Sequence, residues 1–283
     1  MIRASIEGMF RLFRLELPLT AGLCVVLGQI LALGELPRWT TVALGFASIF
    51  CISATALILN DVFDLEVDRV NAPHRPLPSG AVTPRQAIVL SLVVAASGLA
   101  LSAVLSPVAL GFAFVVWVIG ILYNWRFKRS GLAGNLMVAF SVGVTFVFGG
   151  ISVGRTDEWL VWWFGAIAFL LDLGEEIAAD AMDAEGDRLI GSRSLAIVHG
   201  RAAAMYVSAA IFGSLVVLSL APFLIGRLDP VYLVAIGVMD VAILASTVRL
   251  LDPTTARPRN AIRAIYLSGT FAVLVFIALR ISL

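Results

Sequence analysis

Nine long apolar runs, each broken by a short polar stretch, constrain this chain more than any other feature. They fall at roughly 17–34, 41–59, 86–105, 108–124, 132–153, 158–178, 202–224, 231–250 and 262–281. A spanning helix needs about 20 mostly apolar residues, and the runs are close to that length. In lipid, only helices and closed barrels satisfy every backbone polar group. The runs do not alternate apolar with polar residues, so they predict helices rather than barrel strands. Of 283 residues, 60% are hydrophobic and 14% charged, with mean hydropathy +0.99, whereas a soluble domain carries about 25% charged residues. The expected fold is all-α: one integral membrane domain over 1–283, with nine transmembrane helices. The net charge of +1 says nothing about nucleic acid, and none is expected as a partner. Cys24 and Cys51 lie in apolar runs without paired spacing and read as small buried hydrophobes.

The breaks carry the charge. Residues 1–18 hold Arg3, Arg11 and Arg14 and read as an amphipathic interfacial stretch leading into a retained first span. Counted by side, sixteen of the twenty basic residues fall with the N-terminus, and Arg38, Arg155, Arg227 and Arg280 fall opposite. Basic residues concentrate in cytoplasmic loops. The expected protein therefore sits in the cell membrane with its N-terminus in the cytoplasm and its C-terminus outside.

Two acidic stretches then share the cytoplasmic side. In LNDVFDLEVD, Asp61, Asp64 and Asp68 are spaced three then four residues apart; in DAMDAEGD, Asp180, Asp183 and Asp187 repeat that spacing four spans later. On a helix such residues share one face. Like charges so close repel, so two such triads call for a cation. Carboxylates together with substrate phosphates are the usual setting for Mg²⁺. In a chain made for lipid, a lipid-tailed diphosphate is the natural ligand. Metal ions there neutralise the leaving group as the C–O bond breaks. The allylic cation left behind needs water excluded and aromatic faces nearby, and Trp117, Tyr123, Trp162, Trp163, Phe164 and Phe169 are among the aromatics in the spans.

NDVFDLEVDRVNAPHRPLPSG resembles the first aspartate-rich motif of the UbiA superfamily of intramembrane prenyltransferases. DAMDAEGDRLIGSRSL resembles the second, and YNWRFKRSGLAGN with FVFGG is similar to the middle region of its digeranylgeranylglyceryl phosphate synthase-like branch. The resemblance spans nearly the whole chain. It implies nine helices around a central cavity and Mg²⁺-dependent transfer from a polyprenyl diphosphate donor to a lipophilic acceptor, in membrane lipid. It also implies that Asp61, Asp64, Asp68, Asp180, Asp183 and Asp187 are the catalytic metal ligands. Asn60, Arg75, Tyr123, Asn124, Arg126, Lys128 and Arg193 would meet the substrates.

Three departures stand out. Tyr123 and Lys128 are five apart where the family pattern has four, so either Lys128 still reaches the phosphate or Arg126 takes part instead. Glu175 and Ala179 occupy positions where the branch has Arg and Lys, and Met182 replaces an acidic residue. The missing cations imply an acceptor that is uncharged or weakly charged, unless another basic residue takes their place. A terpene cyclase, quenching the cation within its own chain, would use the same site. A transporter is disfavoured because the carboxylates lie at span ends rather than at mid-membrane. Asp240, inside a span, is either a helix-packing polar residue or a functional one. Topology is directly testable. A cysteine replacing Arg75 or Arg193 should react with an impermeant reagent only in inverted vesicles, and one replacing Arg155 or Arg227 only from outside. Labelling of 75 and 193 from opposite faces would refute the shared side.

Overall fold

The computed structural model describes the backbone of residues 2–189, 191–252, 254–255 and 257–282. The side chains of 2–5, 186, 187 and 189, and hence that of Asp187, lie outside the described residues. Among the described residues every regular element is helical. The helices are α1 (Ile2–Leu12), α2 (Glu16–Leu33), α3 (Trp39–Phe63), α4 (Leu65–Asn71), α5 (Pro84–Leu105), α6 (Pro107–Leu122), α7 (Leu132–Ser152), α8 (Trp159–Leu189), α9 (Leu195–His199), α10 (Arg201–Leu224), α11 (Leu233–Leu251) and α12 (Pro258–Ser282). A π-helical turn, Tyr123–Phe127, follows α6, and a 3₁₀ turn, Pro230–Tyr232, precedes α11.

Eight of these helices are long and apolar enough to cross a membrane. The remaining run, 158–178, forms the first two-thirds of α8. That helix is 31 residues long, but Asp172, Glu175, Glu176, Asp180 and Asp183 charge it from its middle onward. The sequence boundaries fall short at both acidic stretches. α3 continues past residue 59 to Phe63, and α8 runs on to Leu189, so each motif begins on the helix that delivers it.

Local chemistry sets the breaks. Thr83 and Gln86 form a reciprocal capping box at the start of α5, with Pro84 at its first position. Ser106 ends α5 and caps α6, and Pro107 follows it. Gly34 closes α2 at φ +74°, where a side chain would be strained.

The chain divides into two compact units, Met1–Arg126 with Thr145–Val161, and Phe127–Val144 with Trp162–Leu283. In the first unit, α3 packs mainly on α5 and α2. Val25, Ile49, Ile52, Ala109, Ala113, Val147, Phe148 and Ile151 form its core. Buried Gln29 donates to the Thr41 carbonyl (3.0 Å) and to Ser152 Oγ (2.9 Å), joining α2, α3 and the end of α7. Backbones meet at Gly149, where an added Cβ would strike the Val25 carbonyl and lie 2.7 Å from Gly28 Cα. Small residues permit such close approach between spans.

In the second unit, α11 packs mainly on α12 and α10. Phe164 and Phe276 meet edge-on at 4.9 Å, and Tyr232 stacks on Phe276 at 4.3 Å. Several of the aromatics are thus core: Phe148, Phe164 and Phe276 are at most 2% exposed. Asp240 receives the Ser219 hydroxyl on both carboxylate oxygens (2.9 and 2.8 Å), clasping α11 to α10, which is the helix-packing role. Gly149→Leu would force the α2 and α7 backbones apart. We expect a loss of about 3 kcal/mol or more from overpacking, measured as a lower thermal midpoint in detergent; an unchanged midpoint would contradict the contact.

Candidate functional site

The first motif sits where α3 gives way to α4. Asp64 stands between the two helices, yet its N–H bonds the Asn60 carbonyl (2.9 Å) and its carbonyl accepts from the Asp68 N–H (2.8 Å). The i→i+4 pattern therefore passes through the break, and the carboxylates stay about one turn apart. Asp61 and Asp68 are buried, at 2% and 5% exposure. Buried carboxylates need partners, and guanidiniums provide them. Arg14 is paired with Asp61. Arg75 Nη1 lies 2.6 Å from Asp68 Oδ2 and 3.9 Å from Asp61 Oδ1.

Sequence reasoning placed Arg14 only among the N-terminal basic residues. It lies between α1 and α2 and, among the described residues, is the one non-glycine at positive φ (42°). Arg75 comes from the RPLPSG stretch, which is a packed turn. Its Pro76 carbonyl accepts the Val82 N–H (3.1 Å), and Leu77 and Val82 are buried with Leu12, Ile58 and Ala87. The stretch is thus both a turn and the carrier of a charge. Burial opposes the Arg75 charge, but the bond to Asp68 and the charges of Asp68, Asp61 and Asp64 outweigh it, so its pKa is raised.

Asn60 is also held. Its Nδ2 donates to Asn124 Oδ1 (3.1 Å), while Asn124 Nδ2 donates to the Ala56 and Gly120 carbonyls (2.9 and 3.0 Å). Asn124 lies in the π-helical turn. A π turn bonds residues five apart, so the five-residue spacing from Tyr123 to Lys128 fits one π turn where four would fit an α turn. Arg126 is exposed and Lys128 half-buried.

The three aspartate positions of the second motif lie on α8. Asp180 Oδ2 accepts from Asn135 Nδ2 on α7 (2.9 Å), and Asp183 Oδ1 is 2.5 Å from Arg259 Nη2 on α12. Neither partner was singled out from sequence; Asn135 falls within the quoted SGLAGN stretch, and Arg259 stood only in the charge count. Arg193 is exposed, and its N–H bonds the Arg129 carbonyl (3.0 Å). Gly131, at φ +67°, faces the Arg193 carbonyl so closely that any Cβ would collide with it.

The donors suit Mg²⁺: hard carboxylate oxygens, with arginines nearby for phosphate. Among the described residues, no three His, Cys, Asp or Glu side chains gather tightly enough to hold an ion unaided. Mg²⁺ usually takes one or two carboxylates and completes its shell with water and substrate phosphate, so this donor set fits it. His74 and His199 are loop and helix-end residues outside both triads.

The family model for the UbiA prenyltransferase family matches residues 21–278. A digeranylgeranylglyceryl phosphate synthase from Methanopyrus kandleri is 39% identical over 227 residues, covering 80% of this chain and 82% of the relative. A solved structure concerning digeranylgeranylglyceryl phosphate synthase in membranes superposes with TM-score 0.87 at 27% identity, covering 99% of both chains. An Archaeoglobus fulgidus UbiA homologue bound to GPP and Mg²⁺ shares the fold, with TM-score 0.68, 19% identity and coverage of 98% and 100%. Asn124→Leu should remove the amide's bonds to the Ala56 and Gly120 carbonyls and release Asn60. Each hydrogen bond lost costs about 0.5–1.5 kcal/mol. We expect a lower thermal midpoint and at least a tenfold loss of turnover, whereas wild-type values would discount the Asn60–Asn124 bond.

Proposed function

Since this chain belongs to the UbiA prenyltransferase family, we propose that it moves a prenyl group from a polyprenyl diphosphate to a lipophilic acceptor, with Mg²⁺ as cofactor. The observation that carries this reading is the first triad: two buried carboxylates at a span end, each paired with an arginine from a separate segment. The names of the relatives support an isoprenoid lipid product, and the homologue solved with GPP and Mg²⁺ supports the donor and the metal.

Mg²⁺, when bound, supplies positive charge to the diphosphate as it departs. Asp61, Asp64 and Asp68 are proposed to hold one such ion, and Asp180, Asp183 and Asp187 another. Asn60 is kept in place beside the first triad by Asn124. Arg75 is placed to meet diphosphate oxygens from the turn that anchors it. Tyr123 and Lys128, one π turn apart, together with exposed Arg126 and Arg193, complete the proposed donor contacts. A guanidinium presents a planar fork to phosphate, an ammonium a compact charge. Both motif-bearing ends are proposed to face the cytoplasm, with the C-terminus outside.

Removing one carboxylate should leave the fold and abolish the reaction. Asp64→Ala and Asp183→Ala each remove like-charge repulsion, so thermal midpoints should hold. Prenyl transfer should fall by at least 100-fold, read by mass spectrometry of products formed with Mg²⁺ and a panel of polyprenyl diphosphates. Near-wild-type turnover in both variants would overturn the metal-site reading.

A further inference from the structure

In the first unit, α1 presents three faces. Gly8 and Leu12, four residues apart, are buried. A Cβ on Gly8 would lie 2.8 Å from Val82 Cγ2, and Leu12 packs with Ile58, Leu77, Val82 and Ala87. Glu7 and Arg11 share a polar face, and Arg14 follows three residues further along the same line. Ile6 and Phe10 stand roughly opposite the buried face and are 51% and 67% exposed. Leu15 and Leu17 are exposed as well and carry that apolar surface onto α2, the first helix long and apolar enough to span. Phe10, Leu15 and Leu17 line an open groove of 630 Å³, with Arg11 and Arg14 on its polar side.

Amphipathic helices usually hold a bilayer with an apolar face and with cations that meet lipid phosphate. Here the cations turn inward. Arg14 is paired with Asp61, and Arg11 Nη2 reaches the His74 carbonyl at 3.4 Å. What remains outward is apolar, and water is a poor cover for it. The surface runs from Phe10 through Leu15 and Leu17 into a span, so lipid is the cover it meets. α1 is attached to the bundle by its inner face, against α3 and α5, and the chain leaves it through Arg14 at φ 42°, a strained conformation. The Arg14–Asp61 pair therefore depends on α1 staying down. Arg75 Nη1 lies 3.9 Å from the same Asp61 oxygen that Arg14 holds. A divalent ion approaching that oxygen meets two guanidiniums, and like charges repel strongly where water is scarce.

We propose that α1 is a strap seated in the surface of the bilayer through Ile6, Phe10, Leu15 and Leu17, and that this seating keeps Arg14 on Asp61 and so limits ion binding at the first motif. This rests on the metal-site reading of Asp61, Asp64 and Asp68. Lipid and ion act on opposite ends of one lever. Lipid contact holds α1 down and Arg14 in place. An ion at Asp61 draws the carboxylate away from Arg14, and the strained backbone at Arg14 relaxes as α1 lifts. Each disfavours the other by the same factor, as linkage requires.

The test uses the full chain, one copy per phosphatidylcholine nanodisc, so that lipid and not a second copy covers α1. In the double variant Ile6→Gln with Phe10→Gln, amide hydrogen exchange across residues 6–14 should quicken about tenfold while exchange in α3 and α5 holds. Mn²⁺, titrated alone and followed by electron paramagnetic resonance, should bind that variant about fivefold more tightly than wild type. Arg14→Gln should tighten Mn²⁺ binding to the same extent, and adding the double change to it should do nothing more, because both act through one contact. Arg14→Gln also strips a buried carboxylate of its partner, so the double variant, which keeps both side chains, carries the decision. By reciprocity, saturating Mn²⁺ should quicken exchange on α1 of the wild type. Unchanged exchange on α1 in the double variant, or protection of α1 only in discs that hold two chains, would overturn the bilayer seat. Faster exchange with unaltered Mn²⁺ affinity would overturn the link to the first motif. Mn²⁺ binding that does not weaken in Asp64→Ala would overturn the metal-site reading itself, and the exchange result would stand apart from it.

Discussion

Buried carboxylates at the end of a span are the constraint on which the first unit turns. Asp61 and Asp68 sit almost without exposure on an apolar bundle, and an unpaired charge there would cost several kcal/mol. Arg14 and Arg75 meet that demand from two different segments. The chain accepts backbone strain to do so. Arg14 is at φ 42°, a conformation that costs a side-chain-bearing residue about 1–2 kcal/mol. Strain of this kind persists where surrounding contacts fix it, and here α1 and the RPLPSG turn pack around Leu12, Leu77 and Val82. The same pairs that stabilise the charges also place two guanidiniums beside the first aspartate-rich motif.

Helix irregularity is the second device. The break at Asp64 turns the chain from α3 to α4 without losing the hydrogen-bond register. The π turn at Tyr123–Phe127 follows α6 and carries Asn124. Its Asn124 amide bonds two carbonyls and accepts from Asn60. Because lipid offers no water to substitute for these partners, polar bonds near span ends hold motif residues in one orientation.

The second motif is supported differently. α8 carries it as one uninterrupted helix, steadied by Asn135 on Asp180 and by Arg259 on Asp183. The Arg259–Asp183 pair is largely exposed, with side chains at 73% and 50%. Such pairs contribute little to stability, so its value is in placing charge rather than in holding the fold. α8 also bears Glu175 and Ala179 where the family resemblance leads one to expect bases, and arginines stand on α12, about 80 residues further along the chain.

Several features were legible in the sequence because they depend on local periodicity. Run length gave the spans, proline and glycine the breaks, and the three-then-four spacing the acidic faces. Family membership followed from contiguous motifs. Other features depend on which distant residues meet, and no local pattern carries that. Arg14 reads as one more interfacial cation until α1 packs beside the turn at 75–82. Asn135 is an amide in a small-residue stretch until α7 brings it to Asp180. The pairing of α12 with α8, which brings Arg259 to Asp183, is a product of helix packing alone. The sequence by itself determined where apolar helices form and where charge is permitted. Tertiary structure decided which charge answers which, because a Coulombic partner is chosen by distance in space and not by separation along the chain.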